Sequence, residues 1–530
     1  MFDELTVRRS VIFVGYLVPR HPWRNLMSFI NEKYFSTYEE VKAQEFDFIV
    51  IGAGVYGIAF MNKVLSLKPK SKILMIEKGT FFLPDHIQNL PKALIDLNQT
   101  AGTRPWESDG DIAFMPQIPF VGGRGNFWNG WIPMPYNLKE LGWDDSFVKE
   151  LQSEWQPAAD FLGRRYNLVT AENSCEQLRD LTRKLLTEGM SKIDTGLMIE
   201  HPNQFDSSIA TGRHSANRPF GKFSPVSVLM QAVADKKSVM VLTDCLVKKF
   251  QTSGGKVTAI ETSLGSIDAK KAQIVLACNT LEATEIVLQS GSENPLVGKN
   301  LSGHIRSWLG IRVHKKYFQL DEVFQAGAFY VPGYDTKLDR YLHTHVSSVY
   351  NPFPERDIDL LYQILPDASM RESIATYMNP DYVVFELHTM GEFLGTPDMK
   401  SPNHISMKDG KMHVNVTFEK DDEATWDALD STVFQIIEVL ADGKPFEYQQ
   451  ADNSYAKKKP ERIRNKGAVH ESGTLWMGIS DKDSVCNLDG RLHHLINVYG
   501  TGGMLFPRPG SWNPTYTGVA MAFNLARKLC

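Results

Sequence analysis

Apolar residues fall in two textures along the chain. Phe48-Ile-Val-Ile51 and Lys72-Ile-Leu-Met-Ile76 contain short unbroken apolar runs, the pattern of parallel strands buried on both faces. The residues between them read as a helix. The texture returns from Val226, with a helix through Ala234, strands at Val239–Leu242 and 245–247, and a hairpin turn at Ser253-Gly-Gly255 between further strands Lys256–Thr262 and Ser266–Asp268. A buried strand over 273–278 then runs into a helix over 280–290. The sheet begun at residue 46 is thus resumed far along the chain, which makes the first domain discontinuous.

Residues 306–450 differ. Segments 341–350, 382–388 and 404–418 read as antiparallel strands, the last folded at Asp409-Gly410, and a helix over 424–441 follows. That pattern predicts an antiparallel sheet with a helical cover, the natural wall of a substrate cavity. Helices are expected over 138–162, interrupted at Pro157, and over 172–190. Residues 27–35 have the spacing of an amphipathic helix lying against the body.

The chemistry begins where the first strand ends. Gly52-Ala-Gly54-Val55-Tyr56-Gly57 carries the glycine spacing of a dinucleotide clamp. Its first glycine makes the tight turn, its second lets backbone approach a pyrophosphate, and its third allows the helix to pack on the strand. Glu77, at the end of the second strand, is placed to accept hydrogen bonds from both hydroxyls of an adenosine ribose. This unit alone leaves FAD and NAD open. A second glycine-rich stretch, Val121-Gly122-Gly123-Arg-Gly-Asn126-Phe-Trp128-Asn-Gly-Trp131, lets backbone crowd a planar or anionic ligand, with Trp128 and Trp131 as walls, unless it is a surface loop with core tryptophans.

At 530 residues the chain exceeds one typical core, so two connected domains are expected. Its net charge of −5 provides no basic stripe for nucleic acid. Cys175, Cys245, Cys278, Cys486 and Cys530 are odd in number and form no CxxC pair, which points to a reducing compartment. The early apolar run 11–18 is too short to span a bilayer. A cytoplasmic protein is expected, with export after Arg8-Arg9 the lesser alternative. His343 and His345 share one face of their strand, and lacking an identified third ligand they are expected to line a cavity or pack rather than hold a metal.

Residues 468–527 complete a family pattern. The GAGVYG unit, VGG followed by FW at 121–128, VGKNLSGH at 297–304, HESGTLWMG at 470–478 and the strand, glycine turn and WNPTYT over 496–517 together resemble the glucose/methanol/choline (GMC) oxidoreductases, FAD-dependent alcohol oxidases and dehydrogenases. The pyranose-oxidase-like branch is the most similar. The resemblance implies an α/β fold with a Rossmann-type FAD-binding domain, discontinuous over 46–130, 225–305 and 460–530. A helical substrate-cap segment over 131–224, a substrate-binding domain of antiparallel sheet plus helices over 306–459, and an N-terminal extension over 1–45 complete the expected organisation.

The resemblance also makes His470 and Asn513 the candidate catalytic pair. It places Val247 and Ala277 near the adenosine half of FAD and Gly503 and Met504 along the ribityl or pyrophosphate path, with Asn513 and Thr515 of the NPT turn also at the cofactor. Pyranose oxidases have a histidine before the tryptophan of the VGG loop that can bond covalently to flavin; here Phe127 stands there, so noncovalent FAD is expected. The implied reaction is oxidation of a secondary alcohol, of a sugar or glycoside, to a ketone, with O2 or a quinone-like compound as electron acceptor. Trp128, Trp131 and Trp512 are candidate stacking platforms for a pyranose ring. A non-sugar natural-product alcohol, an NAD-dependent dehydrogenase and a non-catalytic flavoprotein remain alternatives, and oligomeric state is not read from the sequence.

Overall fold

The computed structural model describes residues 33–166, 176–190, 205, 207–212, 221–235, 238–368, 374–460 and 463–530. The arginine pair and apolar run near the start lie outside these residues, as does most of the expected helix over 27–35.

Five parallel strands form the cofactor-type sheet, in the spatial order Val498–Gly500, Gln273–Leu276, Phe48–Ile51, Ile73–Ile76, Val239–Leu242. All four residues of Phe48–Ile51 are buried, as a central strand covered on both faces requires. Helix Val55–Leu67 packs Ile58, Ala59, Phe60, Met61 and Val64 against it. The C-terminal helix Thr515–Leu529 lies alongside that helix in the same core. In register, Ile51 stands between Leu276 and Ile76, so the strands' carboxyl ends open onto one crevice, the usual ligand edge of such a sheet. The result is a mixed α/β fold whose Rossmann-type domain is assembled from distant parts of the chain.

The second domain is built on the long strand Ser302–His314. It pairs antiparallel with Tyr382–Phe393 on one side and with Phe446–Gln449 and Arg464–Ser472 on the other, while Arg340–Tyr350 and Gln325–Asp335 extend the sheet. Period-two alternation divides its faces. Leu309, Ile311 and Val313 join Phe385 and Leu387 in a core against Val433 and Ile436 of helix Lys420–Ala441. His304, Arg306 and Trp308 point the other way, and cross-strand pairing places His388 and His345 in one row with Trp308. One face of the sheet is a hydrophobic floor for helices; its opposite face is polar and aromatic.

Three sequence expectations need correction. A division at 305/306 cuts through Ser302–His314, and Arg464–Ser472 belongs to the antiparallel sheet rather than the cofactor sheet, because the strand it hydrogen-bonds along its length is Ser302–His314. The 404–418 hairpin forms as His404–Lys408 and Lys411–Val416 but joins Glu107–Gly110 in a separate three-stranded sheet. Pro157 does not interrupt a helix: it is the third residue of Trp155–Leu162, in the first turn where no intrahelical N–H donor is needed. Among the described residues no helix is long and apolar enough to cross a membrane.

Candidate active site

A cavity of about 500 Å³ runs from the carboxyl edge of the parallel sheet to the polar face of the antiparallel one. At its first end the glycines of the clamp have distinct surroundings. A Cβ at Gly57 would stand 2.2 Å from the Gly52 carbonyl oxygen, so Gly57 serves helix–strand packing and does not line the cavity. A Cβ at Gly54 would meet nothing within 4 Å, leaving room for a phosphate group to approach backbone. Gly52, Val55 and Tyr56 line the same end. Glu77 accepts hydrogen bonds from the amides of Ala53 at 3.0 Å and Gly79 at 3.1 Å, which uses two of the carboxylate's roughly four acceptor sites. Burial raises its carboxyl to about 7. Val247 and Ala277 lie at this end, and Gly123, Trp128, Gly503, Met504 and Thr515 line the path onward.

Two expected cofactor residues face elsewhere. Asn126 does not line the cavity; its carboxamide donates to the Val121 carbonyl at 3.3 Å and accepts from Ser224 at 2.9 Å, bracing the loop. Gly122 is also away from the cavity, with φ of +94° and a virtual Cβ 2.6 Å from the Asn126 amide nitrogen. Trp512 is fully buried, edge-on to Tyr136 and off the cavity, so it is no platform for a sugar.

His470 and Asn513 line the far end together, although no hydrogen bond joins them. His470 sits at φ of +61°, in a strand whose register with Ser302–His314 shifts on either side of His304. A left-handed non-glycine residue at a bulge is strained and re-aimed. Its Nδ1 is 2.8 Å from His304 Nδ1, and His304 Nε2 is 2.5 Å from the Gly510 carbonyl oxygen. A carbonyl only accepts, so His304 carries its proton on Nε2. Burial pulls His304 down to about 4, so the ring is neutral and its Nδ1 must accept. His470 therefore donates from Nδ1, and its Nε2 holds a free lone pair. Burial, reinforced by His304 and Arg124, keeps the His470 imidazole well below its usual range.

Asn513 accepts at Oδ1 from His345 Nε2 at 3.0 Å, which leaves its NH2 group as a donor. His345 stacks on Trp131, centroids 4.0 Å apart and 8° between planes, while the Trp131 N–H and Asn129 both bond Asp367 Oδ1. His343 is buried against the Tyr330 ring at 4.7 Å. Among the described residues no cluster of three or more His, Cys, Asp or Glu side chains is arranged to hold a metal.

Sequence reasoning gave no role to the residues that hold this pair. His304 closes the VGKNLSGH segment, and its position one strand from His470 becomes visible only through the sheet. Glu471, next to His470, takes Arg124 at 2.8 Å and Gln117 at 2.9 Å, tying the second glycine loop to the strand that carries His470. His304 and Glu471 stand in the motifs VGKNLSGH and HESGTLWMG, but neither motif shows what its members touch.

A Rossmann crevice continuous with a polar, histidine-bearing pocket offers a place for a nucleotide at one end and a small substrate at the other. Family comparison makes the class specific: GMC oxidoreductase profiles match residues 143–306 and 400–522, more than half of the chain. The chain belongs to the GMC oxidoreductase family, enzymes acting on alcohol CH–OH groups. Among solved structures, pyridoxine 4-oxidase from Mesorbium loti is similar in fold, with a TM-score of 0.57, 16% identity, and coverage of 91% of this chain and 99% of that one. No curated protein sequence matches.

Proposed function

We propose that this protein oxidises a secondary alcohol, carried by a sugar or glycoside, to a ketone with noncovalently held FAD, and is reoxidised by O2 or a quinone-like acceptor. The observation carrying this reading is the shared placement of His470 and Asn513 at the far end of the cavity that starts at Gly54 and Glu77. The sugar assignment comes from the pyranose-oxidase-like resemblance and from no feature of the fold. The clamp residues suit the cofactor: Gly54 leaves a gap that a phosphate could enter, Glu77 lines the cavity with acceptor capacity for a ribose, and the uncapped start of helix Thr515–Leu529 reaches the cavity at Pro514 and Thr515.

FAD, when bound, supplies the hydride acceptor. The chain's own residues prepare the alcohol. Nε2 of His470 takes the hydroxyl proton, since an oxygen with alkoxide character expels hydride far more readily than a neutral alcohol does. The Asn513 NH2 group donates to the same oxygen and so orients the carbon. His304 positions the base by accepting from its Nδ1–H, and His345 positions the carboxamide by donating from Nε2 to its oxygen. As the C–H hydride departs with its electron pair, the carbon–oxygen bond becomes a carbonyl.

An anaerobic screen of sugars, glycosides and simple alcohols tests the reading: at least one should bleach the flavin and air or a quinone should restore it. Failure of every alcohol to bleach it would leave the cofactor structural. Phe127 gives a second expectation: acid precipitation should release all yellow colour into the supernatant, and colour retained in the pellet would contradict noncovalent binding. Because the His470 proton affinity is depressed, its base form persists as pH falls. The acid limb of kcat/KM for flavin reduction should lie below 6.5; a limb at or above that value would rule out His470 in this environment. His304→Phe should keep FAD and substrate affinity while slowing flavin reduction at least about tenfold and displacing that limb, whereas an unchanged rate and limb would reduce His304 to packing.

A further inference from the structure

Three basic side chains other than histidine line the cavity: Lys78, Arg124 and Arg306. Two are neutralised. Lys78 meets Glu282 at 2.7 Å and Arg124 meets Glu471 at 2.8 Å. Arg306 meets no carboxylate among the described residues. Its Nε donates to the Gly467 carbonyl and its Nη2 to the Asn465 side chain, both at 3.1 Å, and Nη1 takes no partner there. Burial alone, with no neighbouring negative charge to oppose it, draws the guanidinium down to about 10.

An enclosed cation without a counter-charge is costly, and proteins ordinarily pair such a group. The position is also specific. Arg306 lies between His304 and Trp308 on the polar face of Ser302–His314, one alternation step from the residue that orients His470, and opposite Met390. Its two neutral acceptors hold the planar fork in place, and a guanidinium so held matches the two oxygens of an oxyacid. Of the carboxylates at this end, Glu471 pairs with Arg124 and Asp367 is held by Asn129 and Trp131; neither forms an ion pair with Arg306.

We infer that Arg306 is the anchor for an anionic group on the substrate, so that the alcohol oxidised here carries a carboxylate or a phosphate ester and the cavity selects acidic over neutral sugars. The inference deepens the proposed alcohol oxidation and rests on it for the word substrate, but the anion site itself is testable without turnover. On binding, the oxyacid supplies the missing counter-charge, its oxygens accept from Arg306, and the hydroxyl-bearing carbon is directed toward His470 and Asn513.

Holoenzyme is titrated with acetate and, separately, inorganic phosphate, followed by tryptophan fluorescence, which reports on Trp308, Trp131 and Trp128 and requires no reaction. Wild type should show a saturable change with at least one anion, lost in Arg306→Met and kept in part by Arg306→Lys. No saturable change in wild type, or an identical one in Arg306→Met, overturns the site. Anaerobic flavin reduction is then compared for glucose, glucuronate and glucose 6-phosphate. Preference for glucuronate identifies a carboxylate and preference for glucose 6-phosphate a phosphate, and the preferred acid should lead glucose by about ten- to a hundredfold in wild type and lose that lead in Arg306→Met. Equal reduction by all three in wild type, or an equal loss for all three in Arg306→Met, would assign Arg306 to the cofactor and sink the proposal. Should none of them reduce the flavin while an anion still binds in an Arg306-dependent way, the anchor stands and the alcohol reading alone falls.

Discussion

His470→Ala is expected to retain bound FAD yet lose about a hundred- to ten-thousandfold in the rate of anaerobic flavin reduction by substrate, the range a positioned general base contributes. The expectation rests on the proton inventory around the ring. The Gly510 carbonyl demands a proton on His304 Nε2, His304 is neutral through burial, and its Nδ1 therefore receives the His470 Nδ1–H. That leaves Nε2 of His470 as the unprotonated atom. Alanine removes the acceptor without touching the glycine clamp, so the flavin spectrum should be unchanged while bleaching slows. The strain at φ of +61° adds a second readout: relief of a left-handed side chain favours alanine little and glycine more. His470→Gly should thus be at least as stable to heat as His470→Ala while equally inactive. Rapid bleaching in either variant would remove His470 from the reaction.

The sequence was most informative where local rules act alone. The clamp at 52–57, the hairpin at 253–255 and the strand–helix pair after residue 273 depend on glycine geometry and short apolar runs, and all appear at their expected places. The discontinuity of the first domain follows from the return of that texture, and its Rossmann-type character from the family resemblance. What could not be read was which strand lies beside which. Ser302–His314 is not among the strands expected from the sequence, yet it brings His304 to His470, 166 residues away, and Arg306 to Asn465. Such encounters are set by long-range pairing register, which side-chain period leaves undetermined between strands. Asn126 shows the complementary error. A polar residue inside a glycine-rich loop resembles a ligand contact, but the loop's own backbone needed a partner and took it.

Gly54→Ala and Gly57→Ala should separate cofactor binding from folding, although the two glycines sit three residues apart. At Gly57 the added methyl would lie 2.2 Å from the Gly52 oxygen and 3.1 Å from a Val50 methyl; the first obstacle is backbone, so helix and strand must part. Overpacking of this kind costs about 1–3 kcal/mol, and the apoprotein should melt a few degrees lower as well as bind FAD poorly. At Gly54 the methyl would meet nothing within 4 Å, and φ of −87° is open to alanine. Apoprotein stability should be unchanged there, or slightly raised because the unfolded chain loses freedom. The methyl would instead stand where a pyrophosphate approaches backbone amides, and losing one charge-assisted hydrogen bond of about 1.5–3 kcal/mol corresponds to roughly ten- to a hundredfold in affinity. Thermal melts of the two apoproteins, paired with FAD titrations followed by flavin fluorescence, distinguish these effects. Gly54→Ala with wild-type FAD affinity would show that the gap beside this glycine is not the phosphate position, and the whole placement of the cofactor along the cavity would have to be redrawn.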